Sequence, residues 1–287
     1  MQDHAISFTP PLEENRRQFI VTKLAVGFAA AVCPVMAEAI HTDSDGLTAS
    51  DVKITVRDGE MPGYRAMPAG GGPFPTVLVI QEIFGVHEHI RDVCRRLAKL
   101  GYFAVAPELY ARQGDVSTMT NIQDIIAKVV SKVPDAQVMG DLDDTVAWAE
   151  KSGHADASRL GITGFCWGGR VVWLYAAHSS KLRAGAAWYG QIKGDVGEMR
   201  PKTVLELASE MKAPVLGLYG GKDQGIPVEQ VEQMRAALKA DGKPAEIIIY
   251  PDAGHAFNAD YRPSYNEAAA KDAWGHMLAW FRQYGVK

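Results

Sequence analysis

The chain has 287 residues, a net charge of −4, 47% hydrophobic and 22% charged residues. That length fits one large domain or two small ones, and the composition is that of an ordinary globular protein. So small a charge gives no electrostatic basis for binding nucleic acid or an anionic membrane surface.

The first segment does not read as part of a fold. Arg16 and Arg17 precede Phe19 and Ile20, and an uncharged, mostly apolar run follows from Leu24 to Ala37. The run is too short for a membrane span, which needs about 20 residues. It suits the apolar core of a signal peptide, with Ala37-Glu38-Ala39 as a small-x-small cleavage site. The paired arginines resemble a bacterial twin-arginine signal. The expectation is a removed segment 1–39, a mature domain 40–287, export by the twin-arginine machinery to the periplasm or the medium, and no stable membrane insertion. An amphipathic first helix is the alternative.

From residue 51 the pattern alternates. "DVKITV" and "GYRAMPA" predict two strands, and "TVLVIQEI" is the continuous apolar run of a strand buried on both faces. Residues 88–100 predict a helix, with Ile90, Val93, Leu97 and Leu100 as its apolar stripe. Cys94 lies beside that stripe and packs as a small hydrophobe rather than in a disulfide. "YFAVAPEL" predicts a strand, and helices follow near 119–132 and 136–152. "SRLGITGF" is a strand, 168–179 a helix, and "RAGAAWYG" and "APVLGLYGG" are strands. A helix at 227–240, the strand "AEIIIYP" and a long helix at 264–284 complete the chain. Strands alternating with helices predict a single α/β domain with a mostly parallel sheet covered on both faces.

In such a sheet, functional groups gather at the carboxyl ends of strands. Gly164-Phe165-Cys166-Trp167-Gly168 puts a cysteine where an exposed nucleophile sits between two glycines on a strand-to-helix turn. Asp223 in "LYGGKDQGIP" and His255 in "YPDAGHAF" follow two later strands. Nucleophile, acid, histidine is the chain order of α/β-hydrolases. A thiolate attacks a carbonyl; a histidine takes the thiol proton; a carboxylate fixes the histidine tautomer. The bland readings are an inert buried cysteine, a capping aspartate and a loop histidine. Asp252, closer to His255, reads as a turn residue. Glu82 ends an apolar strand, where a carboxylate is costly unless it belongs to a site; its bland role is to hold the turn at Gly85.

Together "QEIFGV", "PELYAR", "GFCWGG", "GGKDQGIP" and "AGHAF" resemble the dienelactone hydrolase (carboxymethylenebutenolidase) family of the α/β-hydrolase fold, from about residue 51 onward. The resemblance implies a Cys166–His255–Asp223 triad and an acyl-enzyme. It implies that Glu82 contacts the thiol and helps generate the thiolate, and that the N–H groups of Ile83 and Trp167 form the oxyanion hole. The family holds its substrate carboxylate partly with arginines, and here the sequence departs. Ala259 stands where an arginine is expected four places after the histidine; Arg262 is the next. No arginine lies between Gln113 and Ser158, where a second is expected, and Arg112 belongs to the "PELYAR" motif itself.

The expectation is therefore a hydrolase of a small ester or lactone that uses no metal or organic cofactor. Arg262, Tyr110, Trp188 and Phe257 are the candidate substrate-binding residues. His87 and His89 are expected at an exposed helix start. A catalytically idle, hydrolase-like binding protein is the alternative.

Overall fold

The computed structural model describes residues 39–287. The expected signal segment, apart from Ala39, lies outside the described residues. Among them no helix is long and apolar enough to cross a membrane.

The described residues form one eight-stranded sheet in the order β1-β2-β4-β3-β5-β6-β7-β8. Its strands are β1 (Leu47–Val56), β2 (Gly59–Pro68), β3 (Phe74–Ile80), β4 (Phe103–Pro107), β5 (Ala155–Phe165), β6 (Ala184–Trp188), β7 (Val215–Gly220) and β8 (Ala245–Tyr250). β1, β2 and β4 pair antiparallel, and all other neighbours pair parallel. Between them lie α1 (Glu88–Lys99), α2 (Ile122–Lys128), α3 (Asp135–Lys151), α4 (Trp167–His178), α5 (Val228–Ala240) and α6 (Glu267–Gln283). This is the mostly parallel, helix-covered sheet that the strand–helix alternation predicted.

The central strands are apolar because both faces are covered. Val77, Leu78, Val79 and Ile80 of β3 are fully buried. Gly161 on β5 faces Phe281 of α6, whereas Gly185 on β6, paired with Ile162, faces Val172 of α4. Successive strand residues point to opposite faces, so α4 and α6 cover opposite sides of the sheet. α1 buries Ile90, Val93, Cys94 and Leu97, each large aliphatic chain contributing about 1.5–3 kcal/mol by burial. Cys94 is a free, buried thiol, as its place in that stripe implied.

Two helices differ from expectation at their ends. The stretch expected at 119–132 splits into α2 and a 3₁₀ turn, Val130–Lys132. Asn121 sets the start: its side chain accepts from the N–H groups of Gln123 and Asp124, satisfying donors that a helix leaves free. The last helix starts at Glu267 rather than 264, because Asn266 caps it through Ala269 N–H. A 3₁₀ helix at Leu205–Glu210 was not foreseen.

Candidate active site

β5 ends at Phe165, and Cys166 turns the chain into α4 with φ 56° and ψ −111°. A residue other than glycine pays roughly 1–3 kcal/mol for such a backbone. The flanking glycines make it possible. A Cβ on Gly164 would sit 2.4 Å from the Gly168 carbonyl oxygen, and one on Gly168 would sit 2.5 Å from that of Ile80. The Cys166 N–H donates to the Trp188 carbonyl at 3.0 Å, locking the turn to the end of β6. Cys166 is buried, at the N-terminus of α4, where the helix dipole favours a thiolate.

Asp223 and His255 come from the loops after β7 and β8. Asp223 Oδ1 accepts from the N–H groups of Gly225 and Ile226, at 2.8 and 3.1 Å. Its Oδ2 lies 2.7 Å from His255 Nδ1. The aspartate is thus held from its own loop and aims its second oxygen at the imidazole. His255 also shares a hydrogen bond with the Cys166 side chain. Burial works against a charged imidazolium, but Cys166 and Asp223 outweigh it, and the His255 pKa is pushed up to about 10. Asp252 is exposed and bonds Lys222 instead, as befits a turn residue.

Ile83 and Trp167 line the same cavity as Cys166. Among the described residues their backbone N–H groups donate to no protein acceptor. Two free donors beside a thiol are what a developing oxyanion requires.

Glu82 is buried, but its partners differ from those the resemblance implied. Its Oε2 accepts from the Tyr261 hydroxyl at 2.5 Å and lies 3.3 Å from His87 Nε2, rather than bonding the thiol. Burial pushes this carboxyl up, yet the His87 hydrogen bond and the Arg262 charge prevail and hold it below its ordinary range. Glu82 is therefore a carboxylate at neutral pH.

The expected exposed helix start at His87 and His89 is corrected. His87 stands at the first turn of α1 with its ring on Glu82, and His89 is buried with Nδ1 3.2 Å from Asp260. Arg96 also binds Asp260, so the loop after His255 is tied to α1 by charge. Arg112 is structural, bridging Asp58 and Asp141.

The cavity over Cys166 has a volume of about 660 Å³. Of the four expected substrate-binding residues, none lines it. Trp188 is fully buried, with Nε1 bonded to Thr163 and its ring against Phe165 and Phe257. Phe257 fills the core beside it. Tyr110 supports the site from behind, donating to the Glu82 carbonyl and packing edge-on against Trp167. Arg262 is buried over the Phe84 and Tyr261 rings, 4.5 and 5.1 Å from their centres. The walls come instead from α2, the 3₁₀ turn after it and residues 191–204, including Ile126, Val130, Ile192 and Arg200. Arg200 and Tyr189 were missed. Arg200 sits in "KGDVGEMRPKT", a polar loop that reads as solvated, and no signal in the sequence marks it.

A model of the dienelactone hydrolase family matches residues 61–285. A protein of Methylorubrum extorquens named "Putative carboxymethylenebutenolidase" is 64% identical over 273 residues, covering 95% of this chain and 94% of its own. One of the same name from Escherichia coli is 54% identical over 262 residues, with 91% and 96% covered. Among solved structures, a "Putative Dienelactone Hydrolase" from Klebsiella pneumoniae is 56% identical with a TM-score of 0.81, covering 83% of this chain and 99% of that one.

Proposed function

This chain belongs to the dienelactone hydrolase family, and on that premise we propose that it cleaves esters or lactones through a Cys166 thiolate and an acyl-enzyme. By family it is a hydrolase of lactones and esters. The observation that carries it is the His255 imidazole, bonded at Nδ1 by Asp223 and sharing a hydrogen bond with Cys166.

In this reading the thiol proton passes to His255, and the sulfur attacks the substrate carbonyl carbon. The carbonyl oxygen becomes an oxyanion at the N–H groups of Ile83 and Trp167. The tetrahedral intermediate collapses, the C–O bond breaks, and His255 gives its proton to the leaving alkoxide. A lactone opens with its alkoxide still tethered to the acyl group. Water, deprotonated by His255, then attacks the thioester; the acid leaves and Cys166 is restored. Each residue acts on a charge that develops only in the transition state, which is where binding energy accelerates a reaction.

Arg200 supports a carboxylate-bearing substrate. It lines the cavity half-buried, its guanidinium donates to the Val130 carbonyl, and it makes no ion pair among the described residues. Burial and the neighbouring Arg170 charge pull its pKa below the ordinary value. Even a half-buried cation without a counter-ion carries a desolvation cost, and a substrate carboxylate would supply that counter-ion. The test compares paired esters, one neutral and one bearing a carboxylate. Arg200→Ala should raise KM for the charged ester by about 10–100-fold, the worth of a charge-assisted hydrogen bond, and change the neutral ester by less than about twofold. Equal effects on both would remove the carboxylate assignment, and no turnover of any ester by the parent protein would favour an idle binding protein.

Glu82→Gln tests the buried carboxylate. Turnover should fall by about 10–100-fold, the worth of the charge-assisted hydrogen bonds that Tyr261 and His87 make to the carboxylate, with circular dichroism unchanged. Near-normal activity in a folded variant would leave Glu82 as a turn residue.

A further inference from the structure

The cavity over Cys166 is larger than a small lactone needs. At about 660 Å³ it lies within the range of roughly 300–1,000 Å³ that encloses drug-sized ligands. Most of its lining is apolar. Ile126, Ala127 and Val130 come from α2 and the turn after it, and Ile192, Val204 and Ile226 from the loops after β6 and β7.

These walls are tied to one another. The Leu205 N–H donates to the Ile192 carbonyl at 3.2 Å and closes the base of the 191–204 loop, while Gly197 and Arg200 exchange N–H bonds of 2.9 and 3.0 Å across its tip. The Arg200 guanidinium reaches the Val130 carbonyl at 3.0 Å. The Asp135 N–H donates to the Met199 carbonyl at 2.9 Å, and Arg170 of α4 grips the Asp135 carboxylate with two bonds of 2.7 Å. The apolar space is therefore built into the fold. Water in it finds few partners on such walls, and an apolar group that displaces it gains affinity. A small lactone at Cys166 would leave most of that gain unused.

Charge limits what else the occupant carries. Of the described cations on the lining, Arg170, Lys202 and Lys222 are paired with Asp135, Glu210 and Asp252, and Lys193 is exposed. Arg200 is the half-buried one left for an anion. We propose that the substrate is an amphipathic ester or lactone, with one carboxylate for Arg200 and an extended apolar body that covers the walls at Ile126, Val130 and Ile226. The inference rests on the hydrolase reading of this cavity and changes the expected substrate from a small ester to a bulky one.

The experiment is calorimetric titration of the parent protein with butanoate, hexanoate and octanoate, which share the carboxylate and differ only in apolar length. No bond is cleaved, so the ligand class is read apart from the thiol mechanism. Each buried methylene tightens binding about fourfold, so octanoate should bind roughly 100-fold more tightly than butanoate. Its heat-capacity change should be the more negative. Arg200→Ala should weaken all three acids alike, by about tenfold or more. Ala127→Trp puts a large ring into the cavity from an exposed position on α2 and should cut the octanoate-to-butanoate ratio below about tenfold. Affinity that does not rise with chain length would overturn the proposal even if esters are cleaved. So would an undiminished ratio in folded Ala127→Trp protein, which would put the chain outside the cavity. A steep series in a protein that turns over no ester would sustain the ligand class and count against hydrolysis.

Discussion

Cys166→Ala protein should fold as the parent does and lose ester turnover by about 10⁴–10⁶-fold, the loss expected when a covalent nucleophile is removed from a site that works as a unit. The turn that carries residue 166 depends on close backbone approach at Gly164 and Gly168, which the substitution leaves alone. His255 and Asp223 keep their mutual bond, but with no sulfur in reach the imidazole has nothing to deprotonate. Cys166→Ser keeps a nucleophile atom in place and should retain more activity than the alanine variant. It should still lose more than Glu82→Gln, because a hydroxyl is far harder to deprotonate than a thiol. Steady-state turnover with circular dichroism as the fold check decides this. Alanine protein with turnover within tenfold of the parent would remove Cys166 from the chemistry.

Asp223→Asn should cost about 10⁴-fold in kcat, through tautomer rather than position. Asn can still accept from the Gly225 and Ile226 N–H groups as Asp223 Oδ1 does. Its amide NH₂ then faces His255 Nδ1 and forces the ring proton onto the nitrogen facing Cys166, which can no longer take the thiol proton. The pH profile should move as well. With the His255 pKa pushed up to about 10, the imidazole keeps the proton it takes from the thiol until it hands it to the leaving alkoxide, and the parent should lose activity only as pH rises through about 10. Asp223 helps raise that value, so the asparagine variant should show its alkaline limb at lower pH. The same raised pKa links to stability: its contribution is complete below about pH 6.5, the unfolded value, and is lost as pH climbs through about 10. An unchanged alkaline limb in Asp223→Asn would mean that the aspartate does not govern the imidazole.

The strands and the carboxyl-end loops were legible because they rest on short-range physics. Val77–Ile80 read as a strand buried on both faces, and the glycines around Cys166 announced a tight turn. Asp223 and His255 could be placed because each follows such a strand directly. The substrate walls were not legible, and Trp188 and Tyr189 show why. Strand side chains alternate with a period of two. Trp188, the last residue of β6, is fully buried in the core with its nitrogen on Thr163; Tyr189, one step on, faces His255. A displacement of one residue separates core from site, and composition alone does not resolve it.

The polar face of α1 misled for a different reason. His89, Asp92 and Arg96 share a helix face at spacings of three and four, which reads as a solvated stripe. The loop after His255 covers it, with Asp260 between His89 and Arg96. That loop also brings Tyr261 and Arg262 to Glu82. Arg200 depends likewise on a long-range approach: residues 191–204 fold back so that its guanidinium meets the Val130 carbonyl. Local periodicity carries no record of such contacts.

Stoichiometric alkylation followed by an ester assay tests the thiol mechanism most directly. Cys94 is fully buried in α1, and burial pushes its thiol far up, so of the two described cysteines iodoacetamide should modify Cys166 alone. Ester turnover should fall in proportion to the fraction of Cys166 carrying the label, reaching zero at one equivalent. Protein fully labelled at Cys166 that still turns over ester at the parent rate would contradict it.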